Sequence, residues 1–439
     1  METITTAFQR AAASMPFYQK ILKARGLDPA AVNTSEDFRT LVPIIGKEDV
    51  FPCFALPELC QESVWQDMAS AIFSSGSSGV FSYGLLTKHD LLKQQCQLDD
   101  LLRLFFNAEA SPPILINALS MGVSFASAFP VIQTSVRSDI VLEVIRTMRE
   151  HAQQIVVVTD PHFAKKVIED GIEEGIAWGA KPITFILGGT WTSNSLIQYL
   201  RRLINVPSSS NNMIYGTMGL TELGLNIFFQ APDLIEIQDQ IQHRPQLLKQ
   251  LFGNRTEACP SLMYYMRDRM HIEVPYPDEN GFGDVVISHL DVDIKTLLMR
   301  YNTGDQGKMI DVGALVQALK KNDSNAAPAL PLPIVAIRGR SNEFASGRRV
   351  TVSMVKEAIY RDAEIARCIT GHFRLHEEGD RALIRIHLKP RVTHATRIEE
   401  GIGAILGKMN AGQVVVQCVP YREFEHDVEL NYESKWKHI

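Results

Sequence analysis

The order of apolar and polar residues predicts a helical start followed by parallel α/β units. Apolar positions recur at helical spacing over residues 4–26, where Gly26 is expected to end the helix. Unbroken Ile, Val and Leu runs then predict strands, with helical patterns between them, at 114–116, 155–158 and 183–187. Such runs are typical of parallel strands that are buried on both faces. Ligands bind at the carboxyl edge of such a sheet, where Gly188 and Gly189 are expected.

The pattern changes after residue 273. Short strands and turns up to residue 310 predict an antiparallel sheet or a small barrel, and an irregular stretch leads to another strand at 334–340. The remaining chain, of roughly 100 residues, has the size of a compact α+β domain. We therefore expect an α/β protein with a large N-terminal α/β domain, residues 1–340, which includes a β-rich subdomain. A small mobile C-terminal α+β domain is expected over residues 341–439.

Composition and charge are those of an ordinary globular protein. The 439 residues are 45% hydrophobic and 21% charged, and the net charge of -6 argues against a nucleic-acid surface or an anionic membrane patch. Residues 1–17 lack the pattern of a secretory signal, and no apolar run reaches spanning length, so we expect a cytoplasmic protein. The six cysteines form no C-x-x-C pair, which favours reduced thiols, with a structural metal on Cys259 and His271 as a minor alternative.

A serine–glycine loop is the first candidate for chemistry. Two apolar residues that could end a buried strand, Ile72 and Phe73, are followed by Ser74, Ser75, Gly76, Ser77, Ser78 and Gly79. Glycine lets the backbone approach an anion closely, and amides and hydroxyls are the donors that a polyphosphate needs. The same composition also suits a flexible linker, and no Gly-Lys-Ser/Thr closes the loop as it would in a Walker motif.

Four further segments follow the loop in a suggestive order. Thr221 and Glu222 lie at a glycine turn, Asp305 is expected on a turn after an apolar run, Arg340 lies at the domain junction, and Lys435 lies near the chain end. Each has an ordinary reading as a helix cap, a turn or a solvated tail. Together they fit a nucleotide-dependent carboxylate ligase, which needs a phosphate loop, a metal-holding carboxylate, an acid for ribose hydroxyls and a cation at the α-phosphate.

In this combination the chain resembles the adenylate-forming superfamily of acyl-CoA synthetases and ligases, most closely its phenylacetate-CoA ligase-like branch. The resemblance covers nearly the whole length. The loop is similar to the Ser-Ser-Gly-Thr-Thr-Gly of that family, and residues 87–91 resemble the Thr-x-x-Asp-Leu that follows it. Residues 16–18 and 36–47 resemble the amino-terminal signature of the branch, and residues 188–192 are similar to a Gly-Gly-Glu-x-Trp-Thr segment beside the nucleotide.

The resemblance implies roles for individual residues. Thr221 would touch the α-phosphate, Glu222 would hold Mg²⁺, and Lys435 would neutralise charge as the carboxylate attacks phosphorus, with Lys437 as the fallback. The N-terminal domain would then bind ATP and the acid, and the C-terminal domain would be a lid that carries the catalytic lysine. The residues expected to bind the nucleotide are Ser74, Ser75, Gly76, Ser77, Ser78, Gly79, Gly188, Gly189, Met218, Gly219, Asp305 and Arg340. Among these, residues 76–79 would hold the β and γ phosphates, and Asp305 with Arg340 would bind the ribose.

The chain also departs from the family pattern. Phe81-Ser82 stands where many relatives have Pro-Lys, a departure that the phenylacetate branch partly shares. Met218 replaces an aromatic residue, so either Met218 or Tyr215 would contact adenine. Thr190 replaces the usual acid and Asn342 replaces the usual charged hinge residue. These departures bear on the acid substrate and the hinge more than on ATP use.

The expected activity is that of an ATP-dependent carboxylic acid ligase. It would form an acyl- or aryl-adenylate and then transfer the acyl group to a thiol, with ATP, Mg²⁺ and CoA as the expected cofactors. One alternative is an adenylating enzyme that transfers to a carrier protein or an amine, and another is a non-catalytic nucleotide-binding regulatory protein. The expected partners are a small-molecule carboxylic acid, ATP, and CoA or an acyl carrier protein, with no nucleic acid and no membrane. The sequence leaves the oligomeric state open, a homodimer included.

Overall fold

A computed structural model describes residues 3–74, 79–204, 213–253, 258–322, 330–340, 350–378, 381–409, 411, 413–424 and 432. The chain groups into two compact units. The first unit comprises Met1–Asp100, Thr217–Thr256 and Pro260–Ser341, and the second comprises Leu101–Gly216, Glu257–Cys259 and Asn342–Ile439. The predicted domain boundary at residue 340 stays a prediction.

The described residues form helices and strands throughout the chain. The α-helices are α1 Ile4–Ser14, α2 Pro16–Ala24, α3 Ser35–Leu41, α4 Lys47–Val50, α5 Val64–Asp67, α6 Lys88–Phe106, α7 Ser138–Met148, α8 Pro161–Glu173, α9 Asn194–Ile204, α10 Pro232–Gln242, α11 Pro245–Phe252, α12 Val312–Asn322, α13 Val352–Arg361, α14 Ala363–Cys368 and α15 Ala395–Lys408. The strands are β1 Met68–Phe73, β2 Tyr83–Thr87, β3 Pro113–Ala118, β4 Val131–Gln133, β5 Gln154–Thr159, β6 Ile183–Leu187, β7 Met213–Leu220, β8 Gly224–Phe229, β9 Ser261–Tyr264, β10 Met270–Glu273, β11 Gly283–His289, β12 Tyr301–Ile310, β13 Ile334–Arg340, β14 Ile369–Glu378, β15 Arg381–Leu388 and β16 Val414–Val419.

The helical start is divided into two helices rather than one. The helix α1 ends at Ser14, and α2 begins with Pro16 as its first residue. Proline has no backbone N–H and its ring clashes with the preceding turn, so it starts a helix readily but does not continue one. The predicted single helix over residues 4–26 is wrong in this respect, although Gly26 does follow α2 with a φ of +65°.

The second unit contains the predicted parallel sheet. Its strands β3, β5, β6 and the start of β7 pair in parallel, and β4 adds to the free side of β3. The unbroken apolar runs are buried, as expected for strands covered on both faces. The same unit contains the three-stranded sheet β14-β15-β16, and its core joins residues of both sheets, including Val157, Phe185, Ile359 and Ile384.

The first unit contains the predicted antiparallel sheet. Strands β10, β11, β12 and β13 pair in sequence order, β13 pairs with β9, and β8 pairs with residues 217–220 of β7. The structure therefore confirms the antiparallel sheet expected after residue 273. A separate hairpin is formed by β1 and β2, with the serine–glycine stretch between them.

The hairpin corrects one expectation about the strand before the loop. The strand β1 exists, but its residues alternate between exposed and half-buried, and Phe73 is 56% exposed. The strands β1 and β2 form a sheet of two strands, in which β2 is mostly buried and β1 is not. Within the described ranges, no helix combines the length and apolar character needed to cross a membrane.

Candidate functional site

The ends of the serine–glycine loop are tied to one another. Ser74 donates its backbone N–H to the Ser82 carbonyl at 2.8 Å, and Ser82 donates its N–H to Ser74 Oγ, also at 2.8 Å. Gly79 has a φ of +91°, in the left-handed region that favours glycine. The intervening predicted phosphate ligands Ser75, Gly76, Ser77 and Ser78 lie outside the described residues. The structure thus defines where the loop begins and ends.

The Glu222 carboxylate is held at both oxygens. Ser82 Oγ donates to Glu222 Oε2 at 2.9 Å, and the Tyr301 hydroxyl donates to Oε1 at 2.6 Å. All three side chains are buried. Burial, and after it the charge of Glu222, raises the pKa of Tyr301 well above its usual value, so the phenol remains a donor. The carboxylate therefore has a fixed orientation.

The turn that carries Thr221 and Glu222 depends on close backbone packing. It joins β7 to β8, and Leu223 donates its N–H to the Leu220 carbonyl at 3.0 Å. Gly84 of β2 lies directly against the Thr221 carbonyl, so that an added Cβ would overlap that oxygen. A side chain on Gly219 would similarly meet the Gly224 carbonyl at 3.0 Å. The predicted Gly219 is thus needed for packing, and Gly84 is a requirement that the sequence reasoning missed.

Asp305 and Arg340 lie opposite one another on neighbouring strands. They are register partners on β12 and β13, and Arg340 Nε lies 3.2 Å from Asp305 Oδ1. Arg340 also donates to the Thr303 carbonyl at 2.9 Å. Asp305 is buried, whereas 52% of the Arg340 side chain is exposed. The structure brings these two predicted residues together as an ion pair with one solvent-facing member.

The segment around Asp305 was expected to be a turn and is part of a strand instead. β12 runs from Tyr301 to Ile310, with Asp305 within it. Gly304 has a φ of +76°, and the pairing register with β11 shifts beside it. Residues typical of turns also occur where a long strand is locally irregular. The Thr-Gly-Asp sequence therefore looked like a turn, although it lies at such an irregularity in β12.

Lys47 joins this group of side chains, although the sequence reasoning included it only as part of the amino-terminal signature. Its Nζ lies 3.2 Å from Ser74 Oγ, at the first residue of the loop. Burial lowers the pKa of Lys47, the negative charge of Glu222 opposes that shift, and the positive charge of Arg340 adds to it. Lys47, Glu222 and Arg340 therefore lie within one electrostatic environment. A signal was available, since residues 74–83 contain no lysine or arginine.

The amino-terminal segment that carries Lys47 is attached to β12. Ile45 forms a parallel bridge with Tyr301, in which it donates to the Arg300 carbonyl at 3.1 Å and accepts from Asn302 N–H at 2.8 Å. Buried Arg300 donates to the carbonyls of Arg39 and Val42, both at 2.6 Å. These bonds fix the backbone immediately before Lys47.

A small cleft with a volume of about 30 Å³ lies beside the turn of Thr221 and Glu222. Its wall includes Lys93, which forms ion pairs with Asp291 and Asp293, both at 2.6 Å. Because carboxylates match this cation, Lys93 is a poor candidate for a polyphosphate ligand.

The remaining predicted residues are distributed elsewhere. Gly188 and Gly189 follow β6 in the second unit, at the carboxyl end of the strand as expected, and Gly188 donates to the Thr159 carbonyl at 2.8 Å. Met218 is half-buried, whereas Tyr215 is 2% exposed and packs edge-on against Phe106. The predicted Lys435, its fallback Lys437 and the hinge residue Asn342 lie outside the described residues.

The chemistry of Glu222 fits a Mg²⁺ ion that is shared with a nucleotide. Each of its oxygens accepts one hydroxyl hydrogen and retains a further lone pair for a cation. Mg²⁺ in nucleotide sites takes one or two protein carboxylates and completes its shell with phosphates and water. The part of the chain that the structure describes contains no group of three or more His, Cys, Asp or Glu side chains placed to hold a metal ion.

Comparison with solved structures identifies the fold of the chain. No protein-family model matches the chain, and no curated protein matches it. Among solved structures, it is similar to 2-hydroxyisobutyryl-CoA ligase in the postadenylation state in complex with R3-HIB-AMP, with a TM-score of 0.67 and 13% identity over 99% of this chain and 87% of that one.

Two further solved structures agree with this one. Fatty acyl-adenylate ligases from E. coli and L. pneumophila give a TM-score of 0.53 at 12% identity, over 84% of this chain and 67% of that one. A benzoate CoA ligase from Burkholderia xenovorans LB400 gives 0.50 at 12% identity, with the same coverages of 84% and 67%. The chain therefore has the fold of the adenylate-forming ligases, and the predicted fold class is confirmed.

Proposed function

We propose that the protein is an ATP-dependent carboxylic acid ligase of the AMP-forming type. The observation that carries the proposal is the buried Glu222 carboxylate, oriented by Ser82 and Tyr301 in the same electrostatic environment as Lys47 and Arg340. An acid held in this way suits a Mg²⁺–nucleotide complex. The fold supports the same proposal, since the solved structures that share it include CoA ligases and acyl-adenylate ligases.

The proposed roles follow the motifs. Residues 76–79 of the loop bind the β and γ phosphates, Thr221 contacts the α-phosphate, and Asp305 with Arg340 binds the ribose. Gly188, Gly189 and Gly219 would contact the nucleotide. Met218 is proposed to contact adenine, because its side chain is half-buried whereas that of Tyr215 is almost fully buried. Mg²⁺ on Glu222 would neutralise phosphate charge when bound, and Lys435 is the proposed catalytic lysine.

The proposed reaction has two steps. A carboxylate oxygen of the acid forms a bond to the α-phosphorus of ATP. The bond between the α-phosphorus and the oxygen that bridges it to the β-phosphorus breaks, and pyrophosphate leaves with the electron pair. A thiol then bonds to the acyl carbon as its proton is lost, and AMP leaves. Charge repulsion opposes the first step, so positively charged side chains and backbone amides are expected to supply much of the catalysis.

The proposed acceptor is CoA. A ligase of the same fold was solved with 2-HIB-AMP and CoA, in an open conformation and in a thioesterification state. The motifs favour the phenylacetate-CoA ligase-like branch, in which the acid is a small molecule. We propose a cytoplasmic location, because none of the six cysteines, all of which lie within the described residues, forms a disulfide, as expected in a reducing compartment.

Acid-dependent exchange of pyrophosphate into ATP tests the proposal. The purified full chain, with ATP, Mg²⁺ and a panel of aromatic and aliphatic acids, should catalyse exchange with at least one acid. If the protein binds ATP and no acid supports exchange, the ligase proposal fails and a non-catalytic nucleotide-binding protein is favoured. With an active acid in hand, CoA and an acyl carrier protein can be compared directly as acceptors.

A further inference from the structure

The serine–glycine loop has no positive side chain of its own. Residues 74–83 contain neither lysine nor arginine, and Ser82 uses its hydroxyl to hold Glu222. Backbone amides give an anion site only partial charges. The triphosphate of a nucleotide carries several full negative charges, and sites that bind it also supply lysine, arginine or a metal ion. The charge that this loop does not supply must come from outside it, from the proposed Mg²⁺ on Glu222 and from cationic side chains of other segments.

Lys47 lies where such a cation is needed. Its ammonium contacts Ser74 Oγ at 3.2 Å, and Ser74 is the residue from which the loop departs. The same Ser74 hydroxyl accepts the Ser82 N–H, so that Lys47, both ends of the loop and, through Ser82, the Glu222 carboxylate belong to one hydrogen-bonded group. This group places a flexible, three-donor cation at the edge of the predicted phosphate cradle.

The backbone around Lys47 is held by hydrogen bonds and by a nearby ion pair. The bridge between Ile45 and Tyr301 fixes the backbone two residues before Lys47, and Asp49 accepts the Gly46 N–H at 2.7 Å. Arg300 is 4% exposed and lies 3.3 Å from Glu273, so a buried ion pair supports the carbonyls of the same segment. Burying an ion pair is expensive unless its geometry is specific. We take this support as the means by which Lys47 is held in position.

We infer that Lys47 binds the polyphosphate of ATP and supplies the positive charge that the serine–glycine loop lacks. This inference rests on the proposed function. As the bond between the α-phosphorus and the bridging oxygen breaks, the electron pair and the charge remain on pyrophosphate. The Lys47 ammonium stabilises that leaving group from the amino-terminal side. Many relatives have Pro-Lys where this chain has Phe81-Ser82. Lys47 would supply the positive charge of that missing lysine.

Binding of ATP and of AMP to charge-changing variants tests the inference. Lys47→Gln keeps a polar side chain of similar length and removes the charge, and Lys47→Arg keeps the charge. Calorimetric titration of the full chain with MgATP should show about ten- to a hundredfold weaker binding by Lys47→Gln, and a smaller loss by Lys47→Arg. AMP lacks the β and γ phosphates, so its affinity should change by less than about twofold in both variants.

Lys308→Gln is the matched control. Lys308 is also a half-buried lysine of the first unit, and its Nζ donates to the carbonyls of Leu251 and Asn280 at 2.7 and 2.8 Å. Its substitution should leave both affinities unchanged. Thermal unfolding of each variant separates a local loss of charge from a loss of structure.

The outcomes are distinct. Undiminished ATP binding by Lys47→Gln overturns the inference, and so does an equal loss of ATP and AMP affinity, which would make Lys47 a support for the whole site. If the native chain binds neither nucleotide, the inference and the proposed function fall together. If it binds ATP but shows no exchange with any acid, the proposed function falls, while a selective loss of ATP binding in Lys47→Gln would still uphold the role of Lys47.

Discussion

Glu222 shows how a residue found by its motif depends on residues that no motif marks. Its two oxygens accept hydrogen bonds from Ser82 and Tyr301, which lie 140 and 79 positions away in the chain. A carboxylate oriented in this way presents its remaining lone pairs in one direction. The orientation of the proposed metal ligand therefore depends on a phenol and a hydroxyl that are not themselves proposed to bind the metal.

Replacing Tyr301 by phenylalanine should weaken the response to Mg²⁺. The substitution removes the hydrogen bond to Glu222 Oε1 and leaves the ring in place, so the carboxylate can rotate. We expect the Mg²⁺ concentration at half-maximal pyrophosphate exchange to rise about tenfold, with a small change in thermal stability.

Tyr264→Phe is the control for this substitution. Tyr264 also donates to a carboxylate, Asp233 Oδ2, at 2.6 Å, and it lies in the same unit. An equal shift in Mg²⁺ dependence in both variants would contradict a positioning role for Tyr301.

Gly84 offers a second test at single-residue scale. In Gly84→Ala the new methyl group would overlap the Thr221 carbonyl, and neighbouring backbone must move. Overpacking of this kind costs about 1–3 kcal/mol, so we expect a lower free energy of unfolding in urea together with loss of exchange.

Gly403→Ala is the matched comparison for Gly84→Ala. Gly403 lies within helix α15, and an added Cβ there meets no atom within 4 Å. Alanine favours the helix over glycine by about 1 kcal/mol, so this variant should be more stable than the native chain. If Gly84→Ala raises the free energy of unfolding as Gly403→Ala does, the close approach of Gly84 to Thr221 does not control stability.

The sequence identifies those residues of the candidate site that belong to short motifs, and it does not identify those whose role depends on contacts between distant parts of the chain. The loop, Thr221-Glu222, Asp305 and Arg340 are recognisable because each belongs to a short run of characteristic residues. Tyr301, Ser82 and Gly84 are not, because their contacts join strands that are remote in sequence. Lys47 lay between these cases, since the absence of a cation near the loop could have directed attention to it.

At the scale of elements, a side chain from the C-terminal part of the second unit caps the start of helix α9, which lies more than 150 positions earlier in the chain. Glu357 of α13 accepts the backbone N–H groups of Asn194 and Ser195 at 2.8 and 3.1 Å, at the start of α9. It also accepts the Ser195 hydroxyl at 2.5 Å. The first N–H groups of a helix have no partner within it, so Glu357 acts as a cap supplied by another helix.

A second polar group joins the same parts of this unit. Glu169 of α8 accepts from Lys165 at 2.8 Å, from the Tyr199 hydroxyl at 2.6 Å and from Lys389 at 2.7 Å. Lys165 also donates to the Ile369 carbonyl at 2.8 Å. The buried charge is thus shared between α8, α9 and residues beyond Cys368, which gives their packing a specific geometry.

Removal of the cap should destabilise the second unit. Glu357→Ala takes away a buried acceptor of three hydrogen bonds, and we expect the free energy of unfolding to fall by at least about 1–2 kcal/mol. Urea denaturation monitored by circular dichroism measures it.

Glu364→Ala is the reference for Glu357→Ala. Glu364 forms an exposed pair with Arg367, with 71% of its side chain accessible, and such pairs contribute little. A loss at Glu357 no larger than the loss at Glu364 would show that the helix start is satisfied without the carboxylate.

At the scale of the whole molecule, each unit contains an imidazole that burial keeps neutral. Burial lowers the pKa of His289 in the first unit to about 4, and it lowers the pKa of His162 in the second unit to about 4 as well. In the unfolded chain the ordinary value of 6.5 applies. Between these values the unfolded chain binds more protons than the folded one, so these two groups should lower stability as the pH falls from about 6.5 towards 4 and should add no pH dependence above that range.

Replacing His289 should reduce this acid sensitivity. His289→Gln removes one titrating group, so the difference in free energy of unfolding between pH 7 and pH 5 should shrink, by about 1 kcal/mol or more. Urea titrations at the two pH values measure it, with His151→Gln, at an exposed position, as the control. An unchanged difference in His289→Gln would assign the acid sensitivity to other groups.

At the same scale, the sequence predicted both the parallel and the antiparallel sheet. Alternating apolar runs and helices gave the parallel sheet, and short strands with turns gave the antiparallel one, because both patterns are written along continuous stretches of chain. The grouping of segments was not predictable in this way. The first unit takes its site residues from three separate stretches, which contain Lys47, Glu222 and Tyr301, and periodicity within one stretch does not report on another.

The bridge between Ile45 and Tyr301 makes the amino-terminal segment part of the proposed site. Tyr301 pairs with Ile45 through its backbone and holds Glu222 through its side chain. A shortened chain that begins after Lys47 would lose the amino-terminal signature and would still contain the serine–glycine loop, Thr221-Glu222, Asp305 and Arg340. It would lack the proposed phosphate cation and the backbone bridge between Ile45 and Tyr301, so the nucleotide motifs alone would not make an active enzyme.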